Sequence, residues 1–293
     1  MAGSDSGGGA GIQADLKAFA RCGVHGASAI TALTAQNTLG VSAIHPVPAE
    51  MVLAQVRAVL ADIRVHAVKI GMLGDTEVTL AVAAALDELP PGTPVVLDPV
   101  MVAESGARLL EPDAQRALVR ELVPRASVLT PNLPEARALL GREPAQLAGA
   151  AEPAAGAAAE AAHADAEAAE AAEARELIRA VLALGPGAVV LTGGHRARAV
   201  DLYLDGDAGG APVSIEGERH ADGAAHGSGC THASVLAAQL ALGRTPLQAA
   251  RVARALAGEA VRAGLRDVGA GAGPVDVVDL ALMRSRGVEA EDG

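Results

Sequence analysis

The chain has 293 residues, a length that suits one large α/β domain or two small ones. Hydrophobic residues make up 51% of the chain but aromatic residues only 1%, and the formal charge at pH 7 is -12. Because nucleic-acid binding relies on stacked aromatic side chains and on a basic surface, this composition argues against a nucleic-acid partner and favours a small-molecule ligand.

The two cysteines, Cys22 and Cys230, lie far apart in the sequence and form no metal-ligand spacing. This cysteine usage is typical of a reducing compartment. The sequence contains no signal-peptide pattern and no apolar run long enough to span a bilayer. We therefore expect a cytoplasmic protein with no membrane partner, and the sequence leaves open whether it forms a homodimer.

Short apolar segments rich in Val and Ile alternate with longer segments of helical periodicity. Strands are predicted at 27–33, 67–70, 95–98, 127–130, 188–192 and 199–204, and helices at 11–21, 49–63, 76–88, 113–122, 133–140 and 175–184. This alternation is typical of an α/β fold with a mostly parallel sheet and helices on both faces. Ligands of such sheets bind beyond the carboxyl ends of the strands.

The last third of the chain has a different pattern. Segments 199–204 and 211–215 predict an antiparallel pair of strands around a turn at 205–207. Two further helices are predicted at 230–242 and 246–262.

One segment does not follow this alternation of predicted strands and helices. Residues 148–174 are almost entirely Ala and Glu, and they have no apolar stripe wider than alanine can give. We interpret the segment as a surface insertion, partly helical or disordered, that takes no part in catalysis. The whole chain, 1–293, is then a single domain that carries this insertion.

The opening stretch MAGSDSGGGAGIQADLK leads a run of glycines directly into the first helix. These glycines allow a ligand to approach the backbone closely, and Asp5 and Asp15 are the nearest polar side chains. The stretch has neither the ending of a P-loop nor the glycine spacing of a dinucleotide-binding fold, so it indicates neither.

The stretch HGSGCTH places two glycines immediately before a predicted helix. The unpaired N–H groups of the first helical turn would hold an anion, such as a phosphoryl group in transfer. Cys230 lies in that turn, where the helix dipole is expected to lower the pKa of its thiol. A plain glycine turn with a buried, inert cysteine fits the residues equally well.

In the stretch LTPNLPEA, Asn132 and Glu135 lie three residues apart at the start of a predicted helix. Their oxygen atoms, together with Asp98 at the end of another strand, could hold the water shell of Mg²⁺. The alternative is a helix N-cap with a capping-box glutamate, which the residues alone favour.

Three further positions have polar groups or glycines at the ends of strands. The amide of Gln36 suits the edge of a heteroaromatic ring, although an exposed glutamine is usually only a loop residue. Lys69 is expected to pair with a carboxylate rather than act directly. Gly193 and Gly194 suit either a nucleotide phosphate or a simple turn.

Together and in this order, the stretches GSDSGGGAGIQADLK, ITALTAQNT, KIGML, LDPVM, LTPNLPEA, GGH, HGSGCT and GAGAGPV resemble the bacterial hydroxymethylpyrimidine/phosphomethylpyrimidine kinases of the ribokinase-like superfamily. The resemblance covers nearly the whole chain. It implies a three-layer α/β/α sandwich with a mostly parallel central sheet. It also implies ATP and Mg²⁺ as cofactors, and two successive phosphorylations of 4-amino-5-hydroxymethyl-2-methylpyrimidine in thiamine biosynthesis.

The resemblance also implies roles for individual residues. Cys230 stands where the sugar kinases of the superfamily carry an aspartate base, and the backbone of Gly227, Ser228, Gly229 and Cys230 would form an anion hole. The implied pyrimidine pocket consists of Gly3, Ala10, Asp15, Gln36, Met72, Val100 and Cys230. The implied nucleotide-binding residues are Thr192, Gly193, Gly194 and His226. The implied magnesium ligands are Asn132 and Glu135, which Asp98 could join by its place at a strand end.

The chain departs from the family pattern at several positions. Family members commonly carry a lysine where Thr192 stands and another near Glu104, and an Asn-Thr pair where this chain has Ala224 and Ala225. Fewer cations are therefore expected to face the phosphates of the nucleotide.

Two alternative functions remain open. A pyridoxal or pyridoxine kinase of the same superfamily would differ mainly in its ring pocket, and Gln36 with Met72 favours the aminopyrimidine. A non-catalytic protein that senses a pyrimidine is the second alternative, and the retention of Cys230, Asn132 and Glu135 argues against it.

In the resembled family the first glycine loop follows a buried strand, and 1–3 align with the last residues of that strand. We therefore expect the first strand to be truncated and the coding sequence to begin several codons upstream. The backbone groups that such a strand pairs with would otherwise have to be satisfied in another way.

Overall fold

The computed structural model describes residues 1–102, 106, 109–142, 157–193, 199–206, 210–220, 223–280 and 282–283, with the backbone alone for 157–164. The α-helices of this part are α1 (Gly11–Arg21), α2 (Ala49–Asp62), α3 (Thr76–Asp87), α4 (Pro112–Ala117), α5 (Leu133–Leu139), α6 (Ala157–Leu182), α7 (Ser228–Ala241) and α8 (Pro246–Arg262). A π-helical turn (Leu118–Leu122) and a 3-10 turn (Val123–Arg125) continue α4. Within these residues, no helix is both long enough and apolar enough to cross a bilayer.

The strands are β1 (Ala2–Asp5), β2 (Ile30–Asn37), β3 (Gly40–Pro46), β4 (Val68–Ile70), β5 (Val95–Leu97), β6 (Val128–Leu129), β7 (Ala188–Leu191), β8 (Val200–Asp205) and β9 (Val213–Glu216). Strands β4 to β9 form one sheet in sequence order, in which β4 to β7 are parallel and β8 and β9 are antiparallel. A second sheet has the order β1-β2-β3, with β1 parallel to β2. The predicted mostly parallel sheet, with an antiparallel ribbon near its end, is confirmed.

The first strand is short, as predicted, but it is not absent. The four residues of β1 pair with β2, and Ala2 is only 1% exposed. On the other side, the Gly71 N–H donates to the Met1 carbonyl (2.9 Å), so β1 also lies beside the end of β4 and connects the two sheets.

The sequence did not predict β3. The sequence predicts a strand at 27–33 and the next strand only at 67–70, whereas β2 extends to Asn37 and the chain returns as β3. The Asn37 side chain makes the reversal because its Oδ1 accepts hydrogen bonds from the N–H groups of Leu39 (2.9 Å) and Gly40 (3.2 Å). Most of β3 is exposed, so it lacks the apolar signal on which strand prediction relies.

The sheet is buried on both faces, because successive side chains of its strands point in opposite directions. Val95 and Leu97 of β5 belong to a core shared with helices α3 to α6, whereas Val96 packs into a second core with α7 and α8. Two apolar layers therefore flank one sheet, and the three-layer α/β/α sandwich implied by the resemblance is confirmed.

The Ala and Glu segment is not wholly separate from the core. Helix α6 begins at Ala157, within the predicted insertion, and runs without interruption into the helix predicted at 175–184. Ala174 is fully buried, and Glu173 pairs with Arg137 of α5 at 2.7 Å. The last residues of the segment therefore belong to a packed helix, while 148–156 lie outside the described residues.

We expect the packed half of α6 to be essential for stability and its preceding turns to be dispensable. Leu177 is fully buried in the larger core, so Leu177→Ala should lower the free energy of unfolding by roughly 2 to 5 kcal/mol. Ala169→Ser, at an exposed position of the same helix, should change it by less than about 0.5 kcal/mol. Urea unfolding of both variants measures the difference, and equal losses would contradict this division of the helix.

Candidate active site

A cavity of about 440 Å³ lies among α1, α2 and α7 and is lined mainly by apolar side chains. A larger cavity of about 660 Å³ opens at the carboxyl edge of the parallel strands, beside the opening loop and the N-terminus of α7. The sequence-predicted site residues that line this larger cavity are Gly3, Ala10, Gln36, Met72, Asp98, Val100, Asn132, Glu135, Thr192, His226, Gly227, Ser228, Gly229 and Cys230. The fold thus brings most of the predicted site together from separate parts of the chain.

Asp5 shapes the opening loop, a role that the sequence analysis did not assign. Its carboxylate accepts hydrogen bonds from the N–H groups of Gly7 (2.8 Å), Gly9 (3.0 Å) and Ala10 (2.8 Å). Burial opposes ionisation of Asp5, but the hydrogen bonds from His226 and from these backbone groups hold its pKa below the usual value. An aspartate two residues before a glycine run is a turn signal that could have revealed this role.

The two glycine segments meet at the start of α7. Gly227 has a φ of +81°, and a Cβ at that position would lie 1.8 Å from the carbonyl oxygen of Gly9. Both the backbone conformation and the space therefore require glycine. The crossing places the N–H groups of the first turn of α7 against the opening loop.

His226 lies at the opening-loop end of the cavity. Its Nε2 is 2.9 Å from Asp5 Oδ2 and 3.5 Å from Gln36 Nε2. The resemblance assigned His226 to the nucleotide, but these contacts place it with Gln36, at the end where the pyrimidine is expected. Gln36 Oε1 in turn accepts a hydrogen bond from Thr34 Oγ1 (3.1 Å), so its amide is already oriented.

Cys230 is a protonated thiol at neutral pH, contrary to the expectation from the helix dipole. Its loss of hydration is the main cause, and the nearby Asp98 and Asp15 carboxylates add to it, so the pKa of Cys230 rises to about 12. The Lys69 ammonium and the Gly11 N–H lower the pKa of Cys230, but their combined effect is smaller than the effects that raise it. The thiol also interacts with the Asp98 carboxylate.

Lys69 pairs with carboxylates, as predicted. Its Nζ lies 2.8 Å from Asp15 Oδ1 and 3.8 Å from Asp98 Oδ2, and the side chain is 1% exposed. Asp15 also accepts a hydrogen bond from Ser234 Oγ (2.6 Å) and does not line the larger cavity. Asp15, which the sequence assigns to substrate binding, therefore lies outside the larger cavity and forms an ion pair with Lys69.

Asn132 and Glu135 form the capping box that was the alternative to a metal site. Asn132 Oδ1 accepts from the Glu135 N–H (2.8 Å), and Glu135 Oε2 accepts from the Asn132 N–H (2.9 Å). Burial and the Asp98 carboxylate raise the pKa of Glu135 to about 8. Burial raises the pKa of Asp98 as well, with Lys69 opposing it. Too few positively charged groups therefore lie near these two carboxyl groups to keep both of them readily ionised.

These residues fit a magnesium ion that is held partly through water. Asp98 Oδ2 is buried and has no hydrogen-bond partner among the described residues, and the available donors are carboxylate and amide oxygens. Within the same part of the chain, no group of three His, Cys, Asp or Glu side chains converges as a ready metal site. A cation here would therefore depend on waters and on oxygens of a bound ligand.

At the other end of the cavity lies a cluster that the sequence analysis missed: Asp201, His232 and Arg254. Asp201 Oδ1 accepts a hydrogen bond from the Gly193 N–H (2.8 Å). Thr192 lines the cavity but Gly193 does not, and Gly194 lies outside the described residues. The cluster joins β8, α7 and α8, and only their packing brings the three side chains together.

The fold and the cavity together define an α/β protein with a ligand-sized site at the carboxyl edge of its sheet, where a helix N-terminus suits an anion and carboxylate oxygens suit a cation. Comparison with known proteins identifies the family. The family described as phosphomethylpyrimidine kinase matches residues 5–164 and 157–276. The chain belongs to this family.

Individual relatives agree with this assignment. A hydroxymethylpyrimidine/phosphomethylpyrimidine kinase of Rhizobium meliloti (strain 1021) is 44% identical over 278 residues, which cover 94% of each chain. The crystal structure of a phosphomethylpyrimidine kinase from Clostridium difficile 630 is similar with a TM-score of 0.67 and 34% identity, and covers 86% of this chain and 93% of that one. An ADP complex of Bacillus subtilis pyridoxal kinase is similar with a TM-score of 0.77 and 31% identity, over 96% and 97% of the two chains.

The raised pKa of Glu135 predicts a stability that falls as the pH rises. Between its usual value near 4.5 and about 8, the folded protein holds a proton that the unfolded chain has released, so folding is weakened progressively across this window. Glu135→Gln stays neutral and can still accept the hydrogen bond from Asn132. We expect the variant and the parent to be similarly stable at pH 5, and the variant to be more stable at pH 8 by more than about 1 kcal/mol.

Urea unfolding at several pH values, with a chelator and without nucleotide, measures this difference. Glu77→Gln, at an exposed position in the first turn of α3, serves as the control and should show no such trend. A difference between Glu135→Gln and the parent that is constant from pH 5 to pH 8 would contradict the prediction.

Proposed function

We propose that this protein is an ATP-dependent kinase that phosphorylates 4-amino-5-hydroxymethyl-2-methylpyrimidine, and then its monophosphate, in thiamine biosynthesis. The observation that carries the proposal is the crossing of the two glycine segments, which places Cys230 and the N-terminus of α7 at one end of the cavity. The names of the similar proteins support the same activity. A cytoplasmic location is part of the proposal, since both described cysteines are free thiols.

The pyrimidine would occupy the end of the cavity beside the opening loop. Gln36 would hydrogen-bond the edge of the ring, and Met72 would pack against its face. Met72 also fills the space above Gly3, where a Cβ would lie 2.8 Å from its sulfur. In this pose the hydroxymethyl group points to Cys230.

The backbone N–H groups of 227–230 would stabilise the charge that develops on the transferring phosphoryl group. The substrate hydroxyl must lose its proton as its oxygen bonds to phosphorus. Because Cys230 is a neutral thiol that interacts with Asp98, we propose that its Sγ takes the hydroxyl proton while its own proton passes to the Asp98 carboxylate. The pair then carries one extra proton, and ADP leaves with the electrons of the broken bond.

ATP and Mg²⁺ complete the proposal. The ADP complex of the similar pyridoxal kinase supports nucleotide use. Mg²⁺ would supply positive charge to the phosphates, with Asp98, Glu135 and Asn132 holding its water shell. Since the pKa of Glu135 is about 8, magnesium binding at neutral pH would displace a proton from this carboxyl group.

A pyridoxal kinase is the second candidate, because the similar pyridoxal kinase has a TM-score of 0.77, against 0.67 for the phosphomethylpyrimidine kinase. The ring pocket distinguishes the two candidates. Turnover of ATP with hydroxymethylpyrimidine and with pyridoxal, measured in parallel, decides between them, and no turnover with either substrate would favour a non-catalytic sensor.

Cys230→Ala should lower kcat by roughly 10²- to 10⁴-fold while the Kd for hydroxymethylpyrimidine changes by no more than a few-fold, because proton transfer is needed only during the reaction. Asp98→Asn should also lower kcat. Steady-state kinetics and calorimetry provide the two measurements.

Cys22→Ala is the matched control, since Cys22 is also a free thiol but lies at the end of α1, outside the cavity. It should leave kcat unchanged. If Cys230→Ala turns over within a few-fold of the parent, the proton leaves by another route and the Cys230 and Asp98 assignment fails.

Gln36→Leu should weaken pyrimidine binding by roughly 5- to 100-fold, since the ring edge loses its polar partner in a partly buried pocket. The affinity for ATP should stay within a factor of two, and this is the internal control. An equal loss for both ligands would show that the substitution disturbs the fold rather than the pocket.

A further inference from the structure

The hydroxyl group of Ser6 binds both backbone groups of Gln36, the residue proposed to meet the edge of the pyrimidine ring. The backbone ladder between β1 and β2 ends where Asp5 lies opposite Thr34. Beyond that point, the Gln36 N–H donates a hydrogen bond to Ser6 Oγ (2.8 Å), and the Ser6 hydroxyl donates to the Gln36 carbonyl (2.6 Å). A side-chain hydroxyl, which can donate and accept at once, therefore takes the place of the next backbone pair.

The pairing of β2 with β3 is irregular at Gln36. Ala35 lies opposite Ala43, but Gln36 lies opposite Val41, so the register shifts by one residue at this point. Such a shift locally disrupts the ladder and changes the direction of nearby side chains. The Ser6 hydroxyl holds Gln36 from the opposite edge of β2.

The tip of the same hairpin is attached to the closing glycine segment GAGAGPV, residues 269–275. Thr38 Oγ1 accepts a hydrogen bond from the Gly271 N–H (3.2 Å). A Cβ on Gly269 or Gly271 would overlap Thr38, so only glycine permits this close approach. The hairpin that carries Gln36 is therefore fixed at its tip as well as at Gln36 itself.

The closing glycine segment continues to His226. The His226 N–H donates to the Gly273 carbonyl (3.2 Å), and the Val275 N–H donates to the His226 carbonyl (3.1 Å). His226 Nε2 in turn lies 3.5 Å from Gln36 Nε2 and 2.9 Å from Asp5 Oδ2. A closed ring of contacts thus leads from the opening loop through the hairpin and the glycine segment back to the opening loop, and Gln36 lines the cavity within this ring.

We propose that Ser6 is a positioning residue for the pyrimidine: its hydroxyl group fixes the backbone of Gln36 so that the side-chain amide meets the ring edge, and Thr38 holds the tip of the hairpin in the matching position. Ser6 does not line the cavity, so it acts through Gln36 rather than on the ligand itself. The inference rests on the proposed kinase function and adds two positioning residues to it. The loss of the Ser6 hydroxyl should therefore weaken pyrimidine binding and leave ATP binding and kcat nearly unchanged.

The test compares Ser6→Ala, which removes the hydroxyl group, with Ser6→Thr, which keeps it. Calorimetry gives the Kd for hydroxymethylpyrimidine, and steady-state kinetics give kcat and the KM for each substrate. Ser6→Ala should weaken hydroxymethylpyrimidine binding by roughly 2- to 10-fold, because the backbone of Gln36 loses both hydrogen bonds to an exposed hydroxyl. The KM for ATP and kcat should stay within about a factor of two, and Ser6→Thr should restore the pyrimidine affinity.

Ser42→Ala is the matched control, since the Ser42 hydroxyl donates to the Ala35 carbonyl (2.9 Å) of the same hairpin but lies outside the cavity. It should leave the Kd for hydroxymethylpyrimidine unchanged. In the Gln36→Leu background, Ser6→Ala should cause no further loss of pyrimidine affinity, because Ser6 acts only through the Gln36 amide. Thr38→Val, which loses the hydroxyl acceptor, should weaken the pyrimidine in the same direction, and Thr38→Ser should not.

Equal losses of pyrimidine and ATP affinity in Ser6→Ala would overturn the proposal, because Ser6 would then support the fold in general. A further loss in the Gln36→Leu background would have the same meaning. Unchanged pyrimidine affinity in Ser6→Ala would overturn the proposal as well.

A measurement without ligand separates this inference from the kinase proposal. Hydrogen exchange of the Gln36 backbone amide, followed by NMR, should be roughly 2- to 10-fold faster in Ser6→Ala and unchanged in Ser42→Ala. Unchanged exchange in Ser6→Ala would show that the hydroxyl does not hold Gln36. Failure of the kinase proposal would instead appear as a parent protein that neither binds nor phosphorylates hydroxymethylpyrimidine, whatever the exchange rates are.

Discussion

The buried ammonium group of Lys69 balances much of the negative charge beneath the site. It lies 2.8 Å from Asp15 and 3.8 Å from Asp98, and through these residues it links β4 with α1 and with the segment after β5. Asp15 extends the link to α7 through its hydrogen bond from Ser234. Removing one member of such a buried pair typically costs about 3 to 5 kcal/mol. The ion pairs of Lys69 and the hydrogen bond from Ser234 to Asp15 therefore help to hold in place the elements that carry the site.

Lys69 does not neutralise all the acidic groups of the site, and this shortage of positive charge affects how those groups ionise. The pKa values of Asp98, Glu135 and Cys230 are all raised, because each group loses hydration and lies near other carboxylates with too few cations. A protonated thiol beside a carboxylate of raised pKa can pass protons in either direction. The same shortage of positive charge supports the proposed magnesium ion beside Glu135.

The second constraint is steric. The opening loop and the N-terminus of α7 cross so closely that Gly9 and Gly227 leave no room for a side chain, since a Cβ on Gly9 would lie 2.3 Å from the ring of His226. Asp5 holds the first loop in the required shape through three backbone N–H groups and through His226. The two glycine segments, far apart in sequence, thus meet in close contact at the N-terminus of α7.

The sequence by itself determined most of the regular elements and the family of the protein. Helices α1 and α8 have the predicted ends, Gly11–Arg21 and Pro246–Arg262, because periodicity, caps and turn residues act over a few positions. The ordered motifs indicated the family, and most of the residues that they assigned line one cavity. The tertiary structure alone decided the rest: the pairing of Asp15 with Lys69, the raised pKa of Cys230, the strand β3 and the Asp201, His232 and Arg254 cluster. Burial and electrostatic balance depend on segments that meet only in the folded chain, so no local pattern reports them.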